Sequence, residues 1–478
     1  MRLLDSAGPS AGARVPPSIR TEDLLAATGG HLLGPTTVTS FSTAAVDSRH
    51  VVPGCCFVAL RGERTDGHAF VADAIQAGAS VILTERPVEL PGDGSVAGVQ
   101  VADSLHALQE LAAWWRSRFA VRVVGVTGST GKTIAKEMIA DVLSRTRATL
   151  RNEGNLNSET GLPMTLLRLD RGHEVAVLEM SMYTEGEIAR LAEIAVPEAG
   201  VVLSVHPTHL ERAGSIEAIA RAKSELPQAL PADGLAVLNA DDTRVAAMRD
   251  VTAARVTTFG LGAHADVRAE ELVPEGANGT TFTLVAPWGT RRLRAGTPGR
   301  HLVPHALAAA TIGEWMGVPL DEVEAALAAG SSAPHRMSVT ETASGATLVD
   351  DTYNASPVSM SAALEFLAET RVRNGNRYAV LGDMLELGPD EERLHREIGV
   401  RAAGVVDGLV AVGQRGRWIA EAATAAGLAR VAMAHDADDA AGAVERELAP
   451  GVGDVVLVKA SRGIELDRLV RALVGDAA

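Results

Sequence analysis

The sequence alternates short β-rich runs with Ala/Leu-rich stretches of helical pattern along most of its length. The runs include "VVGVTG", "VAVLEM", "AGVVLSV", "LAVLNADD", "YAVLGDM", "GLVAVG" and "DVVLVKAS". Such alternation is typical of α/β folds, in which helices cover a parallel sheet. The segment from about 262 to 295 differs, because its β-rich pieces are separated by Gly and Pro turns, and it predicts a small antiparallel meander.

The chain of 478 residues is long enough for more than one hydrophobic core. One boundary is predicted near the helical stretch "LHALQELAAWWRSRF", and another near "AGSSAPHR" at 329–336, where the Ser/Ala/Pro composition suits a hinge. We therefore predict three domains, at 1–108, 109–332 and 333–478.

Charge and cysteine content restrict the partners and the compartment. The formal charge of −16 argues against nonspecific binding to nucleic acid or to an anionic membrane. Cys55 and Cys56 are adjacent and indicate no disulfide framework. The first twenty residues lack the apolar core of a signal peptide, and no long uninterrupted apolar run follows. We expect a cytoplasmic protein without membrane insertion.

Several of the β-rich runs end in polar residues. Open parallel sheets bind ligands at the carboxyl ends of their strands, so these residues are candidate site positions. They are Glu179, His206 with His209, Asp241 with Asp242, Asp383, and Lys459.

The stretch "VVGVTGSTGKTIAKEM", 123–138, has the order of a phosphate-binding loop: strand, glycine-rich turn, helix. In such a loop backbone N–H groups surround phosphate oxygens, Lys132 reaches the β- and γ-phosphates, and the Thr133 hydroxyl binds Mg²⁺. The predicted loop residues are Gly128, Ser129, Thr130 and Gly131. The strict pattern requires glycine at Val126, so this is a variant, and a glycine turn beside a solvated lysine is the alternative. The loop predicts ATP binding but not a reaction.

Further motifs resemble those of the Mur ligases, the ATP-dependent enzymes that extend the UDP-sugar peptide precursor of peptidoglycan. The similarity lies in "GVTGSTGKT", "EGNLNSETGLPMTLLRL" (153–169), "VLEMSMYTEGEI" (177–188), "HLERAGSIEAIARAKSEL" (209–226), "VLNADD" (237–242), "LVDDTYNASPVSM" (348–360), "VLGDMLELG" (380–388), "HREIG" (395–399) and "VLVKASRG" (456–463). Upstream, "AVDSRHVVPGCCFVALRGERTDGHAF" resembles the family's uridine-nucleotide domain. The last four motifs are most similar to those of the member that attaches D-alanyl-D-alanine.

The resemblance implies a three-domain ligase with a central P-loop-type parallel sheet and a C-terminal Rossmann-like domain. The N-terminal domain would hold the UDP-sugar peptide, the central domain ATP, and the C-terminal domain the incoming dipeptide. ATP converts a carboxylate into an acyl phosphate, which the amine attacks, so ADP and phosphate are the by-products. Cations must stabilise the transferring phosphoryl group. A monomer acting in cell-wall biogenesis is the family-level expectation.

For catalysis, the resemblance implies roles for Lys132, Glu179, His209 and Lys223. Thr133, Glu179, His209 and Lys223 would serve two Mg²⁺ ions, with Lys223 carried as a carbamate. The alternatives are a solvated acid at a strand end for Glu179, a loop or capping role for His206 and His209, and a surface helix lysine for Lys223.

For the ligands, the resemblance implies three groups of residues. Ser48, Arg49, Asn157 and Ser158 would contact the UDP-sugar peptide, although "NLNSETG" alone indicates only a turn. His305, Arg336 and Asp351 would contact ATP, with an interdomain salt bridge as the alternative for Arg336. The dipeptide, which carries both an ammonium and a carboxylate, requires groups of both signs. The residues predicted for it are Asn354, Asp383, Glu386, Lys459 and Arg462.

Four departures from the family pattern keep a second hypothesis open. They occur at Ser158, Leu302, His305 and Ala460. A paralogous amide ligase would join a different amino acid or dipeptide to a carboxylate. A nucleotide-binding regulatory or scaffold protein without turnover is a third hypothesis, and the joint presence of Lys132, Thr133, Glu179, His209 and Lys223 speaks against it.

Overall fold

The computed structural model describes residues 18–62, 65–207, 214–372 and 374–475. Within them, backbone contacts separate two compact units. The first contains the described residues up to Val121, together with Asn152–Glu174 and Glu193–Ala195, and the second contains Arg122–Arg151, Val175–Ala192 and the described chain from Val196 onward. His209 and the first seventeen residues, on which part of the signal-peptide prediction depends, lie outside the described residues.

The first unit is built on a largely parallel sheet. Among its described residues, five strands follow the order β2-β7-β6-β5-β4, parallel except for β2, and β1 pairs with β3 in a separate ribbon. The strands are β1 Ile19–Arg20, β2 His31–Leu32, β3 Ser40–Phe41, β4 Ala44–Ala45, β5 Cys56–Val58, β6 Val81–Thr84 and β7 Ala97–Gln100. The helices are α1 Thr21–Thr28, α2 Val71–Gln76, α3 Ser104–Arg116 and α5 Gly161–Leu166.

The second unit contains a large sheet whose described strands run in the order β16-β15-β14-β13-β12-β11-β8-β10-β9. Strands β8 to β14 pair in parallel, and β14 to β16 are antiparallel. The predicted meander is confirmed, and it extends this sheet through β13. The strands are β8 Arg122–Thr127, β9 Thr149–Arg151, β10 Val175–Glu179, β11 Ala199–Val202, β12 Leu235–Asn239, β13 Arg255–Gly260, β14 Val267–Pro274, β15 Thr280–Ala286 and β16 Gly289–Ala295.

A second sheet follows in the same unit. Its described strands take the order β17-β18-β22-β19-β20-β21, all parallel except β17. They are β17 Ser338–Glu341, β18 Thr347–Asp351, β19 Arg377–Gly382, β20 Gly408–Val412, β21 Val431–Ala434 and β22 Val455–Lys459. The predicted α/β class with parallel sheets is confirmed.

Helices cover both sheets of the second unit and bury apolar side chains against them. The described helices are α4 Lys132–Ser144, α6 Glu187–Ala195 (which ends in the first unit), α7 Ile216–Gln228, α8 Thr243–Ala246, α9 Val303–Trp315, α10 Leu320–Ala329, α11 Pro357–Glu369, α12 Glu391–Ala403, α13 Gly416–Ala425, α14 Ala437–Ala443 and α15 Asp467–Val474. Helix α7 lies close to the central strand β8 because Gly125 lacks a side chain: a Cβ there would lie 2.8 Å from a methyl group of Leu226. The parallel order β11-β8-β10 places the carboxyl ends of these three strands side by side. No helix among the described residues is long and apolar enough to cross a bilayer.

Candidate active site

The glycine-rich loop joins β8 to α4 and is fastened to the end of β11. The Ser129 backbone N–H donates to the Ser204 carbonyl at 2.9 Å, and the Ser129 hydroxyl donates to the His206 carbonyl at 3.0 Å. Gly131 precedes the helix with φ +77°, and a Cβ there would lie 2.0 Å from Nε2 of His305. A left-handed residue in so tight a space has to be glycine. Helix α4 therefore begins with its N-terminus at the loop, the arrangement that binds phosphate.

Lys132 lies over this loop rather than extending into solvent. Its ammonium donates to the Gly128 carbonyl at 3.0 Å, and the side chain is half-buried. Burial lowers its pKa, while the charge of Glu179 raises it and that of Arg336 lowers it. The alternative of a solvated lysine beside a simple turn is wrong.

Thr133 joins two distant charged side chains. Its hydroxyl donates to Oε2 of Glu179 at 2.8 Å, and Nη2 of Arg336 donates to the same hydroxyl oxygen at 3.0 Å. Glu179 is only 2% exposed, so its reading as a solvated acid at a strand end is wrong. A hydroxyl beside a buried carboxylate supplies the hard oxygen ligands that Mg²⁺ prefers. The alternative reading of Arg336 as an interdomain salt bridge is not what the structure shows, because the guanidinium donates to a hydroxyl.

Lys223 lies on the buried face of α7 with 3% of its surface exposed, so its reading as a surface lysine is wrong. Burial, and then the charge of Lys132, lower its pKa well below the usual value. The pKa of His206 is also lowered, chiefly by burial, and Lys223 contributes to that shift. The three side chains are thus close enough to interact. Because the pKa values of Lys223 and His206 are lowered, Lys132 and Arg336 supply the positive charge beside the loop, and cations in that position suit a polyphosphate.

Two other polar strand ends hold loops through backbone N–H groups. Asp242 accepts the Val205 N–H at 2.7 Å and caps α8, while Asp241 accepts the N–H groups of Leu261 and Gly262 at 2.6 and 2.9 Å. Backbone contacts therefore fasten both carboxylates to loops, and their interpretation as site positions stays a prediction. His209 lies outside the described residues, and within them no group of three or more His, Cys, Asp or Glu side chains is arranged to hold a metal.

The residues predicted for ATP lie on three different segments. His305 is on α9 against Gly131; its Nδ1 is buried without a hydrogen-bond partner in the described structure, and burial lowers its pKa to about 4. Arg336 stacks on the Tyr353 ring at 4.0 Å. Asp351, at the end of β18, accepts from the Lys459 ammonium at 2.5 Å. His301, which the sequence did not single out, is another histidine whose pKa burial lowers to about 4.

The residues predicted for the dipeptide surround the carboxyl ends of β18, β19 and β22. Lys459 is 2% exposed and also donates to the Asn354 carbonyl at 2.9 Å. Asp383 is 3% exposed and accepts the N–H groups of Arg415 and Gly416 at 2.9 and 2.7 Å. Burial raises the Asp383 pKa. These two side chains therefore shape the site through their neighbours, whereas the side chains of Asn354, Glu386 and Arg462 are exposed.

His395 supports the same loop and was missed by the sequence analysis, although "HREIG" contains it. Its Nε2 accepts the Met384 N–H at 2.9 Å, and its Nδ1 lies 2.6 Å from the Glu391 carbonyl. The ring is fully buried, and burial lowers its pKa. A neutral His395 thus fixes the backbone between Asp383 and Glu386, where Glu386 has φ +61°.

The residues predicted for the UDP-sugar peptide lie in the first unit. Ser48 and Arg49 begin a 3₁₀ turn capped by Asp47, whose carboxylate lies 2.5 Å from the Arg49 guanidinium. Arg49 lowers the Asp47 pKa to about 2. Asn157 and Ser158 form the turn before α5, with the Ser158 hydroxyl 3.1 Å from that of Thr160. The predicted turn is present, and the ligand assignments stay predictions.

Family models match three consecutive stretches of the chain. Residues 42–116 match the Mur ligase family, catalytic domain; residues 126–313 match the Mur ligase middle domain; and residues 335–462 match the Mur ligase, glutamate ligase domain. The UDP-N-acetylmuramoyl-tripeptide–D-alanyl-D-alanine ligase of Escherichia coli is 38% identical over 91% of this chain and 94% of its own. The chain belongs to the Mur ligase family.

Other Mur ligases agree with this assignment. The enzyme of the same name from Mycobacterium tuberculosis is 40% identical over 91% of this chain and 92% of its own. A crystal structure of MurF from Acinetobacter baumannii superimposes with a TM-score of 0.86 at 32% identity, over 96% of this chain and all of that one. MurF from Thermotoga maritima, solved in complex with ADP, has a TM-score of 0.78 at 30% identity, over 91% of this chain and 97% of its own. The predicted resemblance is confirmed.

Proposed function

We propose that this chain is an ATP-dependent amide ligase that joins D-alanyl-D-alanine to UDP-N-acetylmuramoyl-tripeptide in peptidoglycan precursor synthesis. The observation that carries the proposal is the contact of Thr133 with both Glu179 and Arg336, directly after a phosphate-type loop and beside Lys132. The acceptor is proposed from the relatives, which bear the name of this ligase and align along nine-tenths of both chains.

In the proposed reaction an oxygen of the tripeptide carboxylate attacks the γ-phosphorus of ATP, and ADP leaves. The dipeptide amine then attacks the acyl carbon, its proton is lost, and phosphate leaves. Loop N–H groups and the α4 N-terminus would bind the phosphates, while Lys132 and Arg336 would contact the terminal phosphate. These cations offset the charge that spreads over the phosphoryl oxygens in the transition state. His305, neutral because of its lowered pKa, packs against the loop and is proposed to contact the nucleotide together with Asp351.

Thr133 and Glu179 are proposed to hold Mg²⁺, with a second ion served by His209 and a carbamylated Lys223. Mg²⁺, when bound, neutralises phosphate charge. Carbamate formation requires a neutral amine, and the lowered pKa of Lys223 supports it. The chain has only four lysines, Lys132, Lys136, Lys223 and Lys459, among its 44 basic residues. The use of lysine rather than arginine at 223 agrees with chemistry that only an amine performs.

Substrate contacts follow the sequence predictions. Ser48, Arg49, Asn157 and Ser158 are proposed to contact the UDP-sugar peptide, and Asn354, Glu386 and Arg462 the dipeptide. Asp383 and Lys459 would support that site from beneath. We also propose domains at 1–108, 109–332 and 333–478, a monomer, and a cytoplasmic location, where ATP and the nucleotide precursor are available.

The test is phosphate release by the purified protein with Mg²⁺-ATP and UDP-N-acetylmuramoyl-tripeptide, with and without D-alanyl-D-alanine. We expect release that depends on the dipeptide, and a product heavier by one dipeptide less one water. Release with a different amine or carboxylate, but not with this pair, would favour the paralogous ligase suggested by Ser158, Leu302, His305 and Ala460. No release with any acceptor would favour a regulatory protein.

If Lys223 carries the proposed carbamate, turnover should depend on dissolved CO₂. Removing dissolved CO₂ and bicarbonate is expected to lower wild-type turnover by about tenfold, with recovery on adding bicarbonate, because the carbamate dissociates when CO₂ is removed. Lys223→Arg keeps the positive charge but cannot form the carbamate, so its residual turnover should not respond to bicarbonate. Equal responses of the two proteins would exclude a carbamate at this position.

A further inference from the structure

We propose that His335 is a positioning residue, which together with Asp350 and Tyr353 holds the Arg336 guanidinium against Thr133. The role rests on the proposed function, because Arg336 is there a cation for the terminal phosphate. Arg336 lies in the connection between the two sheets of the second unit, and its guanidinium reaches the residue that follows the phosphate loop.

The backbone around Arg336 has an unfavourable conformation on both sides. His335 has φ +57° and Met337 has φ +53°, both in the left-handed region. Residues with a Cβ seldom adopt this region. Two such residues, one on each side of Arg336, keep this conformation only where surrounding contacts enforce it. Strain of this kind is typical of functional positions, so the contacts that enforce it are informative.

Two contacts, one with β18 and one with the residues that follow it, enforce the conformation at His335. Nδ1 of His335 lies 2.7 Å from Oδ2 of Asp350, and the Tyr353 N–H donates to the His335 carbonyl at 3.1 Å. Asp350 is 5% exposed, and its Oδ1 accepts from the N–H and hydroxyl of Thr352 at 3.0 and 2.7 Å. The β17–β18 register also sets Ser338 opposite Asp350. His335 is thus bound to a carboxylate that cannot itself move freely.

The Arg336 side chain extends from these contacts, across the Tyr353 ring, to Thr133. Its guanidinium stacks on the Tyr353 ring at 4.0 Å, and Arg462 lies 5.7 Å from the centre of the same ring. Stacking leaves the edge of the guanidinium available for hydrogen bonds. That edge reaches Thr133 at 3.0 Å, whereas the buried Nε has no partner in the described structure.

The other end of the connection is fixed to helix α4. The Ser332 hydroxyl bonds to Asp141 at 3.0 Å, and the Ser332 N–H donates to the same carboxylate. Arg151 holds Asp141 at 2.8 Å. Only Ala333 and Pro334 separate Ser332 from His335. The position of Arg336 is therefore set by contacts with the second sheet. The His335–Asp350 contact determines where the Arg336 guanidinium reaches.

The experiment compares His335→Ala with His335→Asn. Asparagine tolerates the left-handed region, and its side-chain N–H₂ replaces the Nδ1 donor, whereas alanine retains the strained backbone without the contact. His435→Ala is the matched control, because His435 is exposed and lies 3.4 Å from the neighbouring Asp436. Measured quantities are kcat, KM for ATP, the unfolding midpoint, and the affinities for ADP and for the non-hydrolysable ATP analogue AMP-PNP.

We expect His335→Ala to lower kcat by about tenfold and to remove the tighter binding of AMP-PNP relative to ADP. Arg336→Ala should show the same two effects. His335→Asn and His435→Ala should stay within about threefold of wild type. A merely structural role would weaken both nucleotides equally and shift the unfolding midpoint. The inference would be overturned if His335→Ala kept the wild-type kcat and nucleotide preference, or if His335→Asn lost both as fully as His335→Ala. It would also be overturned if the wild-type protein did not bind AMP-PNP more tightly than ADP. If the proposed substrates are not turned over, the nucleotide preference still tests the positioning role separately from the proposed function.

Discussion

Replacing Lys132 by alanine is expected to lower ATP-dependent phosphate release by about 10³-fold. The ammonium lies over the loop, 3.0 Å from the Gly128 carbonyl, where a β- or γ-phosphate oxygen would replace or share that contact. Its lowered pKa shows that burial opposes its charge, and a bound polyphosphate would remove this opposition. Initial rates at saturating Mg²⁺-ATP, with a product mass check, measure the effect.

Arg145→Ala is the matched control for Lys132→Ala. Arg145 is a cation at the opposite end of α4, and its exposed ion pair with Glu322 at 2.7 Å contributes little to stability. We expect its turnover to equal that of the wild type. Near-normal release by Lys132→Ala, with Arg145→Ala unchanged, would mean that this loop does not bind the reacting phosphates.

Most of the fold could be predicted from patterns formed by residues that are close together in the sequence. The strand predicted before the loop is observed at Arg122–Thr127, and it could be predicted because an apolar run and its glycine turn lie in adjacent residues. The meander was predicted for the same reason. Lys223 also had an overlooked signal: with Ile219, Ala222 and Leu226 it shares the spacing of a buried helix face, which contradicts a surface position.

Contacts between distant residues were not predictable in the same way. Arg336 and Thr133 are 203 residues apart, and nothing in the spacing of either motif indicates that they meet. The left-handed conformations at His335 and Met337 carry no sequence signal, because neither residue is glycine. His305 was predicted to contact ATP and noted as a departure from the family pattern, but its packing against Gly131 could not be predicted, because it depends on how α9 crosses α4.

Glu179→Gln is expected to lower turnover by about 10²-fold and to raise the Mg²⁺ concentration required for half-maximal rate. Glutamine keeps the shape and an oxygen for the Thr133 hydroxyl, 2.8 Å away in the wild type, but it lacks the charge that a divalent cation requires. It also removes the anion that raises the Lys132 pKa, so the remaining cations repel one another more strongly. Rates measured over a range of Mg²⁺ concentrations separate a weakened metal site from a lost phosphate contact.

Glu198→Gln is the control for this change, because Glu198 precedes the amino end of β11, whereas Glu179 lies at the carboxyl end of β10 in the same sheet. Its partly exposed ion pair with Arg122 at 2.9 Å has little expected effect on stability or turnover. If Glu179→Gln loses turnover at every Mg²⁺ concentration without a shift in the half-maximal value, Glu179 orients Thr133 and does not bind metal. Partial recovery at high Mg²⁺, absent from Lys132→Ala, would distinguish the metal ligand from the phosphate-binding cation, since excess metal compensates for a weakened site but not for a missing ammonium.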